Sequence, residues 1–380
     1  MDPETFRRDL GAWLDDNAND LTPPYEGIDS IDAHMAHYSY VKRALFDSGF
    51  GRYGWPESVG GLGGSPLLRA IVGEEINFRD LADPNAWTMI EVLAPTVIDF
   101  APPELSARLV PPFLRGDEMW CQGFSEPDAG SDLASLSCRA AETDGGWVVN
   151  GQKIWTSFIE YSQRCVLLVR TGQPESAHRG ITALLVDIDS PGISYSPIET
   201  MHGRRDFAEV HFDDVFVPAD RLLGDVNGGW RVAMDILPYE RSTTFWHRGA
   251  LLHRRFSDLI AQVSAAGDRS DSAAKALGQA FQWIVAFRSR SRDTQHRLAD
   301  GEQLGVETSI DKILITSAEQ QLFETARDLL PGVMELDDDL AAASWRNDYL
   351  YSKAATIYGG TAEIQRNIVA RRLLDLGPES

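Results

Sequence analysis

Apolar positions recur at helical spacing through the first third of the chain, give way to short β-rich runs in the middle, and return as long amphipathic stretches after Gly229. Asp2-Pro3 and Ser65-Pro66 each place a capping side chain before a proline at the first helical position. Leu67, Leu68, Ile71, Val72, Glu75 and Ile76 then follow at helical intervals, with Gly60, Gly61, Gly63 and Gly64 forming the loop ahead of them. Between about Met119 and Asp225, runs such as 147–149 (WVV), 165–169 (CVLLV) and 181–186 (ITALLV) alternate with turns at 144–146 (DGG) and 190–192 (SPG). The later stretches break at 266–268 (AGD), 299–301 (ADG) and 331–332 (PG), and a final one runs from about Trp345 towards Leu374. Four long helices in succession predict an antiparallel bundle. The expected fold is therefore α+β without βαβ alternation: an N-terminal helical domain (1–118), a central β-domain (119–227) and a C-terminal four-helix bundle (228–380).

Composition narrows the function. The 380 residues carry 35 Lys+Arg against 57 Asp+Glu, a formal net charge of −22, which argues against nucleic acid and anionic membranes as partners. With 43% hydrophobic and 9% aromatic residues the chain can bury a core. Cys121, Cys138 and Cys165 form no Cys-x-x-Cys pair, so neither a disulfide framework nor a zinc site is expected. The acidic N-terminus and the lack of a long apolar run predict a cytoplasmic protein, neither secreted nor membrane-spanning. The glycines at 60–64 miss the G-x-G-x-x-G register, because Pro66 stands where the last glycine belongs, and no Walker lysine follows. H-E-x-x-H and G-x-S-x-G are absent. His34 and His37 share a helix face without a third ligand, so they read as packing or surface residues and no metal is expected.

Three segments carry candidate chemistry. Residues 123–132 (GFSEPDAGSD) combine hydroxyls, glycine-adjacent N–H groups and a tight turn, equipment for holding a phosphate or polar heterocycle by donors; a Ser/Asp/Gly-rich surface loop fits the same composition. Residues 150–157 (NGQKIWTS) lead from a turn into a strand, with an indole followed by two hydroxyls. That suits stacking on a flat ring, although Trp155 alone would more often be core. Residues 357–367 (IYGGTAEIQRN) place two glycines in a helical pattern at about 1 kcal/mol each relative to alanine, marking a kink, a break or a close backbone approach.

In this order and spacing the three segments resemble the acyl-CoA dehydrogenase family. GFSEPDAGSD is similar to its first signature, with Phe124 where a smaller aliphatic is usual; KIWTS resembles its flavin-wall strand and YGGTAEIQRN its C-terminal signature. The resemblance covers nearly the whole chain. It implies a FAD flavoprotein that removes the α-proton and β-hydride of an acyl thioester, such as acyl-CoA, to give the trans-2-enoyl product. Flavin N5 would accept the hydride, and an electron-transfer flavoprotein would take the electrons. Carried over by residue, Gln122, Phe124, Ser125, Gly130 and Ser131 would contact FAD. Trp155, Thr156 and Ser157 would line its ring, and Thr361, Ala362 and Glu363 would face it. Ser131, Arg241, Gly360 and Arg371 would meet the substrate.

Many members carry their glutamate base at the position of Gly359, and this chain does not. The isovaleryl- and long-chain-type enzymes, with several of bacterial steroid side-chain breakdown, place it on the first bundle helix in a Leu-x-x-Glu-Arg context. Leu237, Glu240 and Arg241 match that context, so the resemblance implies Glu240 as base and Gly359 as a backbone donor to the thioester carbonyl. An exposed helix pair is the ordinary reading of Glu240-Arg241. The Arg-x-x-Phe-Gly and Gln-x-x-Gly-Gly elements that relatives lend across a subunit interface are missing; residues 328–333 read DLLPGV. A homodimer or tetramer is expected, with a hetero-oligomer as the alternative assembly. The alternatives are a catalytically silent subunit and a same-fold flavin oxidase or monooxygenase.

Overall fold

Helix α1 (Pro3–Asp16) begins as its first residues dictate: the Asp2 carboxylate accepts the Thr5 N–H at 2.9 Å, and Pro3 sits where a missing N–H costs nothing. The computed structural model describes residues 1–25, 30–336 and 339–377. A single turn, α2 (Ala18–Leu21), is followed by α3 (Ile31–Asp47), α4 (Leu67–Arg79), α5 (Pro84–Phe100) and α6 (Pro103–Arg115). Helix α4 starts one residue later than the Ser65-Pro66 pair suggests, because Pro66 itself is the cap and Ser65 Oγ accepts the Leu67 N–H at 3.2 Å.

The strands are β1 (Trp120–Gly123), β2 (Arg139–Thr143), β3 (Gly146–Ser157), β4 (Arg164–Arg170), β5 (Ile181–Asp187), β6 (Ile193–Ile198), β7 (Phe207–Pro218) and β8 (Leu222–Leu223). After them come α7 (Gly229–Tyr239), a π-turn over Glu240–Thr244, α8 (Phe245–Ala265), α9 (Asp271–Ala299), α10 (Thr308–Leu329), α11 (Pro331–Leu336), α12 (Leu340–Ser352) and α13 (Ala362–Ile368). The long stretch expected over 345–374 is thus broken after Ser352, where a 3-10 turn and the glycine pair intervene. No helix among the described residues is long and apolar enough to cross a membrane.

Two compact units emerge, each assembled from separated segments. One comprises residues 35–63 and 85–239 and holds the sheet, ordered β6-β7-β3-β2-β4-β5-β8 with β1 added parallel to β4. Strands β4 and β5 are central, and their unbroken apolar runs follow from burial on both faces. Val166, Leu168, Ala183 and Leu185 turn to a core shared with α5, α6 and α7, whereas Cys165, Leu167, Leu184 and Val186 turn to one shared with β3 and β7. All three cysteines are buried and free. Edge strand β6 is exposed and carries Pro197, which cannot donate to a further strand.

The other unit comprises residues 1–34, 64–84 and 240–380. Its core is the helix bundle: Leu252, Phe256 and Leu259 of α8, Ile284 and Phe287 of α9, Ile315, Leu322 and Phe323 of α10, and Trp345 of α12. Gly73 on α4 lets that helix approach α8, since a side-chain carbon there would collide with the His247 ring. His34 stacks on Tyr25 at 3.9 Å and lies 3.6 Å from Asp83, and no metal-binding cluster occurs among the described residues.

Candidate active site

The first and second sequence segments meet within the sheet unit. Strand β1 delivers the chain into 124–131, where Glu126 and Ala129 exchange backbone hydrogen bonds at 2.9 and 3.1 Å. The Ile154 N–H donates to Ser125 O at 2.9 Å, joining this loop to β3. The fully buried Lys153 donates to Phe124 O at 3.1 Å and to Glu126 Oε1 at 2.7 Å. Glu126 also accepts from Ser137 N and Oγ and from Cys138 N at 2.6 to 2.9 Å. Burial raises its pKa, but the Lys153 charge and these donors outweigh that and hold the carboxyl below its ordinary range.

Beyond Lys153 the pairing of β3 with β7 slips. The slip puts Trp155 at φ +61° with its indole 54% exposed, edge-on to Phe207, and turns Thr156 inward. Thr156 Oγ1 is then buried without a hydrogen-bond partner, as is Gln122 Oε1 on β1. Phe124 packs against the core, Ser125 and Ser157 are half-buried, and Gly130 and Ser131 are exposed. An exposed indole beside hydroxyls and unsatisfied buried oxygens can receive a flat heterocycle with polar edges.

The helical unit carries the other group. Glu240 opens the π-turn, a distortion that adds a residue to one helical turn and changes which side chains face inward. Glu240 is half-buried and Arg241 is 7% exposed, so the pair is not an open helix surface. Burial pulls the Arg241 guanidinium below its ordinary pKa, against the Glu240 charge, and its Nε has no partner. The third segment forms no helix at its glycines: Gly359 and Gly360 have φ of +62° and +86°, and α13 begins only after Thr361, whose Oγ1 accepts the Ile364 N–H at 3.2 Å. A side-chain carbon on Gly359 would lie 2.6 Å from Glu240 Oε1; one on Gly360 would collide with Gln365 Nε2 and stand 3.7 Å from Arg241. The carboxylate thus lies directly against Gly359. Glu363 is exposed beside Arg366 at 3.8 Å, and Arg371 is exposed in a closing π-turn.

Two residues of this group escaped the sequence reading. Gln365, fully buried, donates to Gly359 O at 3.2 Å and Gly360 O at 3.4 Å and so fixes the turn. Lys312, also fully buried, donates to Ala355 O at 2.7 Å and lies 3.9 Å from the Tyr358 ring centre. Burial lowers its pKa to about 8. A signal was present: Lys312 falls on the stripe with Thr308, Ile315, Glu319 and Leu322, which is the inward face of α10.

Three family models cover almost the entire chain: the acyl-CoA dehydrogenase N-terminal domain over residues 17–117, the middle domain over 121–215 and the C-terminal domain over 227–374. Acyl-CoA dehydrogenase IpdE1 of Mycobacterium tuberculosis is 37% identical over 390 residues, spanning 100% of this chain and 99% of the relative. The chain belongs to the acyl-CoA dehydrogenase family. A second relative, IpdE1 of Mycolicibacterium smegmatis, is 34% identical over 100% and 99% of the two chains. Among solved structures, the Tcur3481-Tcur3483 steroid ACAD superposes with a TM-score of 0.86 at 24% identity, covering 100% of this chain and 99% of that one. A glutaryl-coenzyme A dehydrogenase in complex with glutaryl-CoA gives 0.83 at 21% identity over 99% and 98%. This acyl-CoA dehydrogenase is therefore an oxidoreductase with the family's α+β fold of helical, β and helical domains.

Proposed function

We propose that this acyl-CoA dehydrogenase uses FAD to convert an acyl-CoA to its trans-2-enoyl thioester, with Glu240 as the base. The observation that carries this reading is the Glu240 carboxylate lying against Gly359, where many relatives have a glutamate side chain. Glu240 takes the α-proton: the substrate C–H bond breaks and a carboxyl O–H forms. The Gly359 N–H is the donor for the thioester oxygen as negative charge builds there. Arg241 and Gly360 bound the same space on the substrate side, and Arg371 is the proposed contact for the CoA phosphates.

The residues present fit the cofactor, since Gln122 and Thr156 hold buried oxygens that lack partners and Trp155 presents an indole beside them. Phe124, Ser125, Gly130, Ser131 and Ser157 would complete that wall; Thr361 and Glu363 are proposed as separate FAD contacts on the helical unit. When bound, FAD supplies the two-electron acceptor for the β-hydride. We assign most of the cofactor wall to a middle domain over 119–227 and the base to a bundle over 228–380.

We place an electron-transfer flavoprotein as acceptor and an oligomer as the working form. The ChsE4-ChsE5 complex from Mycobacterium tuberculosis pairs two differently named chains, which supports a sibling subunit as one form of that assembly. The test is anaerobic flavin reduction of the purified chain across straight, branched and ring-bearing acyl-CoA esters. The parent should be yellow and bleach with at least one ester, and Glu240→Gln should lose on the order of 10³-fold or more in rate. A colourless protein points to the silent subunit; near-parent bleaching by the glutamine variant removes Glu240 from the mechanism; rapid air oxidation with product bound favours an oxidase.

A further inference from the structure

The two glycines before α13 have their carbonyls held and their amides left open. Gln365 Nε2 donates one hydrogen to Gly359 O at 3.2 Å and the other to Gly360 O at 3.4 Å. Two acceptors facing one side-chain amide fix which of its ends points at them. Neither the Gly359 N–H nor the Gly360 N–H has an acceptor among the described residues. On the other side of the pair, the Tyr358 N–H donates to Ala354 O at 3.1 Å, and Ala355 O accepts from Lys312 Nζ and Thr316 Oγ1 at 2.7 and 3.0 Å.

A peptide unit is planar, so a bond to its carbonyl or its N–H orients the whole unit. The Tyr358 N–H fixes the unit 357–358, and Gln365 fixes the units 359–360 and 360–361. Between them lies the unit 358–359, which carries the open Gly359 N–H. Glycines at φ of +62° and +86° have the freedom to let that unit swing. Stiffness cannot come from a side chain at either position, since one on Gly359 would press on Glu240 and one on Gly360 would collide with Gln365. Gln365 is also a costly way merely to fill space: it is fully buried and its Oε1 has no partner, a penalty that an apolar side chain would avoid.

We infer that Gln365 is a positioning residue for the reaction: by pinning the peptide unit that follows Gly359, it holds the Gly359 N–H in the direction from which it meets the thioester oxygen. A backbone donor stabilises developing charge best when it is aimed before the charge appears. Gln365 itself exchanges no proton with substrate.

This inference rests on the Gly359 N–H as donor, and one experiment separates the two. Infrared difference spectra are recorded for the flavin-loaded parent and Gln365→Met, each with the trans-2-enoyl-CoA product of whichever panel ester bleaches the flavin fastest, isotope-labelled at its thioester carbonyl. The labelled stretch should move to lower frequency on binding to the parent, and Gln365→Met should lose most of that movement. The limiting rate of anaerobic bleaching should fall on the order of 10²-fold in the variant, with the half-saturating ester concentration within about threefold of the parent, because transition-state stabilisation is lost and not uniform binding. Gln365→Asn keeps the amide but is one methylene too short for the two carbonyls; it should behave as the methionine variant does, and is read in its place if that variant fails to fold. A carbonyl shift kept in full by the variant overturns the inference, since a purely structural loss lowers stability without changing the bond at the thioester oxygen. No shift in the parent instead removes the Gly359 donor, and the inference falls with it.

Discussion

An alanine at position 359 would meet two objections at once. Its φ of +62° is a conformation that side chains rarely adopt, and its methyl would press on Glu240 Oε1. Gly359→Ala should therefore fold with a modest stability loss of about 1–2 kcal/mol yet lose on the order of 10²-fold in kcat/KM, because the carboxylate is displaced. Steady-state kinetics together with urea denaturation check both halves. The sequence exposed the glycine pair as anomalous within a helical pattern, but not what stood against it. Only the folded chain shows Gln365 filling the space beside Gly360 and Glu240 filling the space beside Gly359.

At the scale of elements, the sheet unit depends on one buried hub. Glu126 receives donors from β3 through Lys153 and from residues 137 and 138, tying the 124–131 loop to two other segments. Glu126→Gln keeps the shape, leaves the Lys153 charge unpaired, and should cost about 3 kcal/mol in chemical denaturation. The pH dependence has a definite sign. Because the folded Glu126 has a lowered pKa, its stabilisation is complete above the ordinary carboxylate value and is lost as pH falls through that value towards the lower folded one. The parent should therefore lose melting temperature on acidification over a window that Glu126→Gln lacks. Lys153 was legible only as part of the KIWTS stretch, since a lysine within a strand ordinarily implies solvent. Strands β4 and β5, by contrast, could be read directly, because unbroken apolar runs leave few alternatives to double-sided burial.

At the scale of the whole molecule, the net charge of −22 coexists with internal positive sites. Lysine is rare in the chain, yet Lys42, Lys153 and Lys312 are buried, so these positive charges serve the interior while the acidic excess belongs to the surface. Self-repulsion of that surface should make the melting temperature rise by a few degrees between low salt and about 0.3 M sodium chloride, as screening shortens the Debye length. A flat salt profile in differential scanning calorimetry would show the acidic excess to be locally paired instead. The units described by contact are each built from separated segments, whereas composition reads the chain as three successive blocks. Composition reports what a stretch is made of, and contact reports what it folds against.

The sequence by itself determined which broad regions are helical and which are β-rich, and which segments carry donors, indole and carboxylate, because side-chain periodicity and turn chemistry are local properties. It also determined the family, through three motifs in fixed order. Tertiary structure alone decided that Glu240 closes on Gly359, that the strand slip after Lys153 turns Trp155 outward and Thr156 inward, and that Lys312 is buried beside the carboxylate. These are pairings between residues far apart in the chain. Their energies depend on distance and dielectric, and folding sets both.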